Sequence, residues 1–312
     1  MDFLINYISS TAWAVFFALM LDRLLGEPKG WHPLIWFGNW ARLCRDTVQA
    51  KVTHDSQQQR RQGIQAWCAS VLPWLVILML LLWLLPPLLE FLLSVVVLYF
   101  AIGWQSLREH TRDISDPLSH GWLEESRTAV GRIVSRDTQS LNEEEIAKAG
   151  IESVLENGSD AIFAPIFWFV LLGPFGALLY RLANTLDAMW GYKTEELLHF
   201  GWFSARFDDV LNWLPARLVV WTYGVLGNRE AALRCANTQG KGWKSPNAGP
   251  VMAAGAGALG IQLGGAATYF GQVQQRPVLG EGQRPQAADL TRAIQLVDKG
   301  VWLWLAVIFV FI

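Results

Sequence analysis

With 312 residues the chain is long enough for one large domain or two ordinary ones. Yet 52% hydrophobic against 17% charged residues, with a mean hydropathy of +0.25, excludes an ordinary soluble enzyme of this size. The 25 basic and 27 acidic side chains leave a formal charge of −2, which excludes a broad basic surface for nucleic acid. Cys44, Cys68 and Cys235 show neither C-x-x-C nor Cys/His spacing, so no disulfide framework or zinc site is expected.

Phe3 to Leu21 carries no charge, and at about 1.5 Å per residue it matches the roughly 30 Å of a bilayer core. No Lys or Arg precedes it and no small-residue cleavage site follows, so it reads as an anchor rather than a secretory signal. Gly26-Glu27-Pro28 and His32-Pro33 mark the turn after it, where a lone His is usually a hydrogen-bonded turn residue. From Gln62 to Leu107 the only charge is Glu90, and Pro86-Pro87 divides the run into two spanning helices. Ala161 to Tyr180 is again uncharged but broken at Gly173-Pro174, which permits one crossing or two half-helices that enter and return. Val210 to Asn228, with Asn212, Pro215 and Arg217, is expected to be discontinuous or interfacial, and Asp289 to Ile312 a final tilted helix with a polar entry.

The stretch from Asp22 to Ala69 holds seven Lys/Arg and the residues before the first apolar run hold none, so this loop is expected in the cytoplasm. The fold expected is therefore all-α: a polytopic integral membrane protein with about four to six membrane-inserted helices, one of them re-entrant. It is read as a single membrane domain over residues 1–312, with polar cytoplasmic segments at 22–62, 105–160 and 228–292.

Three polar groups are candidates for chemistry. Residues 151–160 should be helical until Gly158, which stacks Glu152 and Glu156 at i and i+4 with Asp160 near the same stripe. Like charges there repel unless an Arg or a cation compensates. A solvated acidic face is the competing reading, but an acidic stripe just before a membrane-inserting run favours bound Mg²⁺. Next, Asn184 and Asp187 share a helix face with Arg181, and Gly191 should end that helix and bring Tyr192 and Lys193 beside it. Finally, Asp208 and Asn212 are i, i+4 and Arg206 and Asp209 are i, i+3 at the mouth of an apolar segment. Carboxylates with Asn suit Mg²⁺ shared with phosphates, and Arg206 or Arg217 suits a phosphate clamp; a structural Arg–Asp lock competes. Ser245-Pro246-Asn247 leads into Gly255, Gly257, Gly260, Gly264 and Gly265; this is no Walker loop, and such small residues more often serve close helix packing.

In this order these blocks resemble the integral-membrane cobalamin-biosynthesis proteins of the CbiB or CobD family. The likeness runs through Leu25-Gly-Glu-Pro with His32-Pro33, Val134-Ser-Arg136-Asp137-Thr138, Glu152 with Glu156-Asn157, and Asn184-Thr-Leu-Asp187 with Gly191-Tyr192-Lys193. It continues through Ser204-Ala-Arg206-Phe-Asp208-Asp209 with Asn212 and Pro215-Ala-Arg217-Leu218, Ser245-Pro-Asn247, and Ala258-Leu-Gly260 with Leu263-Gly264-Gly265.

The resemblance implies an ATP-dependent carbon–nitrogen ligase, adenosylcobinamide-phosphate synthase, that joins adenosylcobyric acid to aminopropanol O-phosphate through an acyl phosphate. It implies ATP and Mg²⁺, a corrinoid and an amino-alcohol phosphate as substrates, the lipid bilayer and late cobalamin-pathway enzymes as partners, and an inner membrane location with the active face cytoplasmic. Its implied roles fall on Glu156, Asp187, Asp208 and Asp209 for acid–base work and Glu152, Glu156, Asp208 and Asp209 for metal. Lys193, Arg206 and Arg136 are expected at phosphates, and Asn184, Asn157, Asn212, Ser245 and Asn247 at substrate and nucleotide. The sequence departs from the family pattern at Glu27 (commonly Asp), Gly158 (commonly Thr), and at Gln239, Trp243 and Met252, where an Asp, a His and a Glu are common. A non-catalytic scaffold for corrinoid enzymes and a transporter are the alternatives, although no related half-chains are visible.

Overall fold

The computed structural model describes residues 2–28, 30–49, 55–192, 194–269 and 271–311, with side chains from Ser10 onward. Helices dominate: α1 (Asp2–Leu25), α2 (Pro33–Gln49), α3 (Ser56–Leu84), α4 (Pro87–Ala101), α5 (Trp104–Ser119), α6 (Leu123–Val130), α7 (Glu143–Gly158), α8 (Ala164–Trp190), α9 (Trp202–Leu226), α10 (Arg229–Thr238), α11 (Ala248–Leu259) and α12 (Ala287–Phe311). The only strands among the described residues are β1 (Gln262–Gly264), β2 (Ala267–Tyr269), β3 (Gln272–Gln274) and β4 (Val278–Gly280). They pair antiparallel as β1 with β4 and β2 with β3. Four helical stretches among the described residues are long and apolar enough to cross a bilayer: Ser56–Leu84, Pro87–Ser119, Glu143–Trp190 and Ala287–Phe311. The chain is a multi-pass, all-α membrane protein.

The chain divides into two compact units that interleave in sequence. The first comprises residues 1–103, 164–212 and 311–312, and the second 104–163 and 213–310. The core of the first unit gathers Phe37, Trp67, Tyr180, Leu186, Trp190, Phe200 and Leu211. In the second, α12 is fastened to α5 by Asp298, which accepts from Trp104 Nε1 at 2.8 Å and pairs with Arg108, and Trp304 Nε1 donates to Thr222 Oγ1 at 2.8 Å.

The Pro86-Pro87 turn forms as expected: α3 ends at Leu84 and Pro87 opens α4, where its missing N–H costs nothing. The second helix of the pair stops at Ala101 rather than Leu107, and after Ile102-Gly103 the amphipathic α5 begins. α7 starts with a reciprocal capping box between Asn142 and Glu145, and Glu143, Glu144 and Glu145 meet the positive helix end.

Gly158 does not end α7. A π-helical turn, Ser159–Phe163, carries the chain directly into α8. A Cβ at Gly158 would lie 2.9 Å from both Tyr223 Oη and Val297 Cγ2, so this glycine serves close packing rather than helix termination.

The broken apolar run doubles back on itself. Gly173 adopts φ 61°, ψ −154° inside α8, ahead of Pro174. A Cβ on Gly176 would sit 2.2 Å from the carbonyl oxygen of Trp168, whereas eight residues of straight helix span about 12 Å. Trp168 Nε1 donates to Leu211 O at 3.1 Å while Tyr180 Oη donates to Asn212 Oδ1 at 2.9 Å, so residues on either side of the break reach adjacent positions of α9. That is the hairpin geometry of the re-entrant alternative. By contrast α9, expected to be discontinuous or interfacial, is not discontinuous: it is one helix from Trp202 to Leu226 that accommodates Pro215. The segment 228–292, read in sequence as a polar segment of an all-α protein, contains the short strands, where Gly264, Gly265, Gly271 and Gly280 turn the chain at positive φ. The expectation that the glycine series serves packing holds in α11: a Cβ at Gly257 would lie 2.8 Å from the Ala231 backbone, and one at Gly255 2.5 Å from Leu155.

Candidate functional site

In the first unit the returning half of α8 faces the start of α9. Asn184 Nδ2 donates to Asp208 Oδ1 at 3.2 Å, and Asn212 Nδ2 donates to Asp208 Oδ2 at 2.9 Å. Asn212 is itself oriented by Tyr180, whose hydroxyl donates to its Oδ1. The i, i+4 spacing of Asp208 and Asn212 creates one side of this cluster and the Gly173 reversal delivers the other.

Asp208 is buried, and its named donors are neutral amides. Burial pushes its carboxyl up to about 6, against the lowering effect of the two amide hydrogen bonds, and neighbouring Asp209 pushes the same way as burial. Asp187 lies one turn beyond Asn184 at the end of α8 and accepts Gly191 N–H on its carbonyl at 2.7 Å. A Cβ at Gly191 would meet the Asp187 carbonyl oxygen at 2.7 Å and Asp187 Oδ1 at 2.0 Å, so a larger residue there must shift the backbone and displace this carboxylate. Arg206 is exposed, and no ion pair joins it to a described residue. The Arg206–Asp209 lock of the competing structural reading is not among the ion pairs of the described residues. Lys193 lies outside the described residues.

Just before α2 His32 is buried, with Nδ1 accepting the Leu34 N–H at 3.2 Å and its ring edge-on to Phe100 at 5.4 Å. Burial lowers its pKa, Glu27 opposes this and Arg181 adds to it. His32 is thus the hydrogen-bonded turn residue expected, and Glu27 and Arg181 lie near enough to act on its charge.

In the second unit Glu152 is enclosed. Its Oε1 accepts from Gly264 N at 2.8 Å and Arg276 Nη2 at 3.2 Å, while Oε2 accepts from Arg276 Nη1 at 3.1 Å and pairs with Arg136. Arg276 also donates to Gly265 O at 2.9 Å and lies under the Trp243 ring at 5.0 Å. Two guanidinium groups and a backbone amide thus supply the compensation that the acidic stripe requires. Where a metal was expected at Glu152 and a phosphate at Arg136, the structure pairs these two residues with each other and Glu152 also with Arg276. Arg276 was not anticipated; its signal was the basic excess of 228–292.

Glu156 lies one turn further along α7, half-buried. Asn157 folds back, donating to Ser153 O at 2.9 Å and Ser153 Oγ at 3.1 Å. Ser245 Oγ accepts from Asn247 N and Ala248 N, both at 3.2 Å, and Asn247 Oδ1 accepts from Arg217, which also donates to Pro246 O at 3.1 Å. The Asn247 and Ala248 amides are spent within the turn, so Ser245 and Asn247 hold the turn and Arg217. The departures from the family pattern carry structure here too. Gln239 exchanges two hydrogen bonds with the Gly280 backbone, at 3.2 and 2.6 Å, and Met252 is buried in α11.

Among the described residues no three His, Cys, Asp or Glu side chains gather as a metal cage. Glu152 does not fit Mg²⁺, because two cations already flank it. Asp208 fits as a single carboxylate ligand to an ion otherwise held by water and phosphates, the usual arrangement for Mg²⁺ at a nucleotide.

Residues 15–297 match the CobD/Cbib protein family. The chain belongs to that family. It is 52% identical to the cobalamin biosynthesis protein CobD of Chromobacterium violaceum over 93% of both chains. It is also 52% identical to that of Stutzerimonas stutzeri, over 93% of this chain and 94% of the relative. The Streptococcus sanguinis CobD protein is 38% identical over 92% and 93%. No solved structure matches the chain.

Proposed function

We propose that this member of the CobD/Cbib family acts in cobalamin biosynthesis as an ATP-dependent amide ligase, joining the carboxyl of adenosylcobyric acid to the amine of (R)-1-amino-2-propanol O-phosphate. The observation that carries the reading is Asp208: a buried carboxylate held on both oxygens by neutral amides and lifted to about 6. A group brought close to neutrality in this way accepts a proton or one cation, and both are required here.

A carboxylate is a poor electrophile, so ATP is needed to activate it. A carboxyl oxygen attacks the γ-phosphorus and ADP leaves, giving an acyl phosphate. The amine then attacks the acyl carbon, inorganic phosphate leaves, and the nitrogen loses its excess proton. Asp208 or Asp209 takes that proton, and Asn184 and Asn212 hold Asp208 in place. Mg²⁺, when bound, would offset the charge of the phosphates, with Asp208 as its protein ligand. Asp187, one turn beyond Asn184 near the end of α8, is assigned to orienting the amine. The active face is proposed on the cytoplasmic side of the inner membrane, where ATP is.

The scaffold reading finds support in the second unit, where Glu152, Arg136 and Arg276 brace the strands. Turnover separates the two. Purified protein in detergent with cobyric acid, amino-alcohol phosphate, ATP and Mg²⁺ should release ADP in step with amide product, and Asp208→Asn should abolish both. No amide product from the wild-type protein would leave only the scaffold, and product formation unchanged by Asp208→Asn and by Asp209→Asn would overturn the assignment of the chemistry to these carboxylates.

A further inference from the structure

A cavity of about 190 Å³ opens in the first unit among α2, α3, α4 and the returning half of α8. Leu34, Trp74, Val97, Phe100 and Leu178 line it, and Arg181 is the one charged residue in its wall. A space of this size with apolar walls stays dry and takes an apolar guest. Its depth follows from the helices. Trp74 is twelve residues before Pro86 and Phe100 thirteen after Pro87, which places both about 18–20 Å from that turn. In a hydrocarbon core of about 30 Å this is the leaflet away from the Pro86-Pro87 turn. Pro33, the first residue of α2, and Ala101, the last of α4, also line the cavity, so it lies at the level where helices end and headgroups begin.

We propose that this cavity holds the headgroup-proximal part of one acyl chain of an anionic phospholipid of that leaflet, the rest of the chain lying in the bilayer, with the headgroup phosphate at Arg181. The walls are mainly apolar and carry one charged group, the guanidinium, which favours a ligand that is apolar along its length and anionic at one end. That guanidinium matches a phosphate in charge and in its forked geometry. Trp74 and Phe100 give flat walls against which a chain packs, and Trp36 lies at the exposed rim. The half-exposed positions Val97 and Leu178 set the width of the space.

The test is native mass spectrometry of the delipidated full chain in detergent, titrated with dioleoyl phosphatidylglycerol, with dioleoyl phosphatidylcholine, and with glycerol 3-phosphate. One phosphatidylglycerol should bind at a concentration at least about tenfold lower than phosphatidylcholine, and glycerol 3-phosphate should neither bind nor compete. Arg181→Gln should weaken phosphatidylglycerol at least about tenfold. Val97→Phe should do the same by filling the space with Arg181 intact, each variant being checked for an unaltered melting transition. Equal binding of the two lipids, competition by glycerol 3-phosphate, or wild-type binding by Val97→Phe overturns the proposal. If Arg181→Gln does not fold, Val97→Phe decides alone.

Discussion

Asp208→Asn should make the protein more stable near neutrality while ending its activity. In the folded chain burial raises the Asp208 carboxyl from 3.8 to about 6, a gap worth about 3 kcal/mol. Because the folded value lies above the unfolded one, folding favours the neutral acid. Stability is full below the unfolded value, falls as pH rises through about 6, and above that is lower by the whole amount. Asparagine removes this dependence. It also replaces one acceptor by a donor: Asn212 is fixed by Tyr180, but Asn184 can turn its oxygen towards the new NH₂, so the local loss is about 1 kcal/mol. The expected balance is a gain of about 2 kcal/mol around pH 7.5 and a loss of about 1 kcal/mol below about pH 4. Unfolding in detergent with a chelator present, followed by tryptophan fluorescence at several pH values, measures it. A variant less stable than wild type by the same amount at every pH would show that a positive charge already compensates Asp208, and the reasoning would fail.

Other positions give sharper or coarser tests. Glu152→Gln leaves Arg136 and Arg276 facing each other without their anion and should cost about 3–5 kcal/mol, measured in the same unfolding assay, while the Mg²⁺ concentration for half-maximal turnover stays unchanged. Gly191→Ala drives a Cβ onto Asp187, and a displacement of that kind should lower kcat by about a hundredfold; unaltered kcat would remove Asp187 from the site. Gly176→Ala presses on the Trp168 carbonyl across the reversal and should destabilise by at least about 1–3 kcal/mol, whereas a straight helix would tolerate alanine there. Single cysteines at the exposed positions Thr194 and Leu198 should react with an impermeant thiol reagent from the same side as one at Asp46, and labelling only from the opposite side would contradict a cytoplasmic site.

The apolar runs were legible because they are long: the Pro86-Pro87 turn, the helix through residue 190 ended by Gly191, and the last helix follow from length, charge and breakers alone. The Gly173-Pro174 break was visible, but its outcome was not, because choosing hairpin over crossing depends on what Trp168 and Tyr180 reach on α9. The same limit applies to the site. Spacing put Asp208 beside Asn212, but only the reversal adds Asn184 and Tyr180, neither of which is near in sequence. The acidic stripe on α7 illustrates the converse error. Its repulsion was read correctly, yet the compensating cation proved to be Arg276, 124 residues from Glu152, and no local pattern carries that pairing. Gly158 misled for a related reason: a glycine required by Tyr223 and Val297 looks, in sequence, like one that stops a helix.

The most direct measurement uses cobyric acid whose reacting carboxyl carries oxygen-18. If that carboxyl attacks ATP at this site, one labelled oxygen must leave with inorganic phosphate as the amide forms, and the label should vanish together with product in Asp208→Asn. Amide product accompanied by unlabelled phosphate would contradict an acyl phosphate, and ATP turnover without any amide would contradict ligation itself.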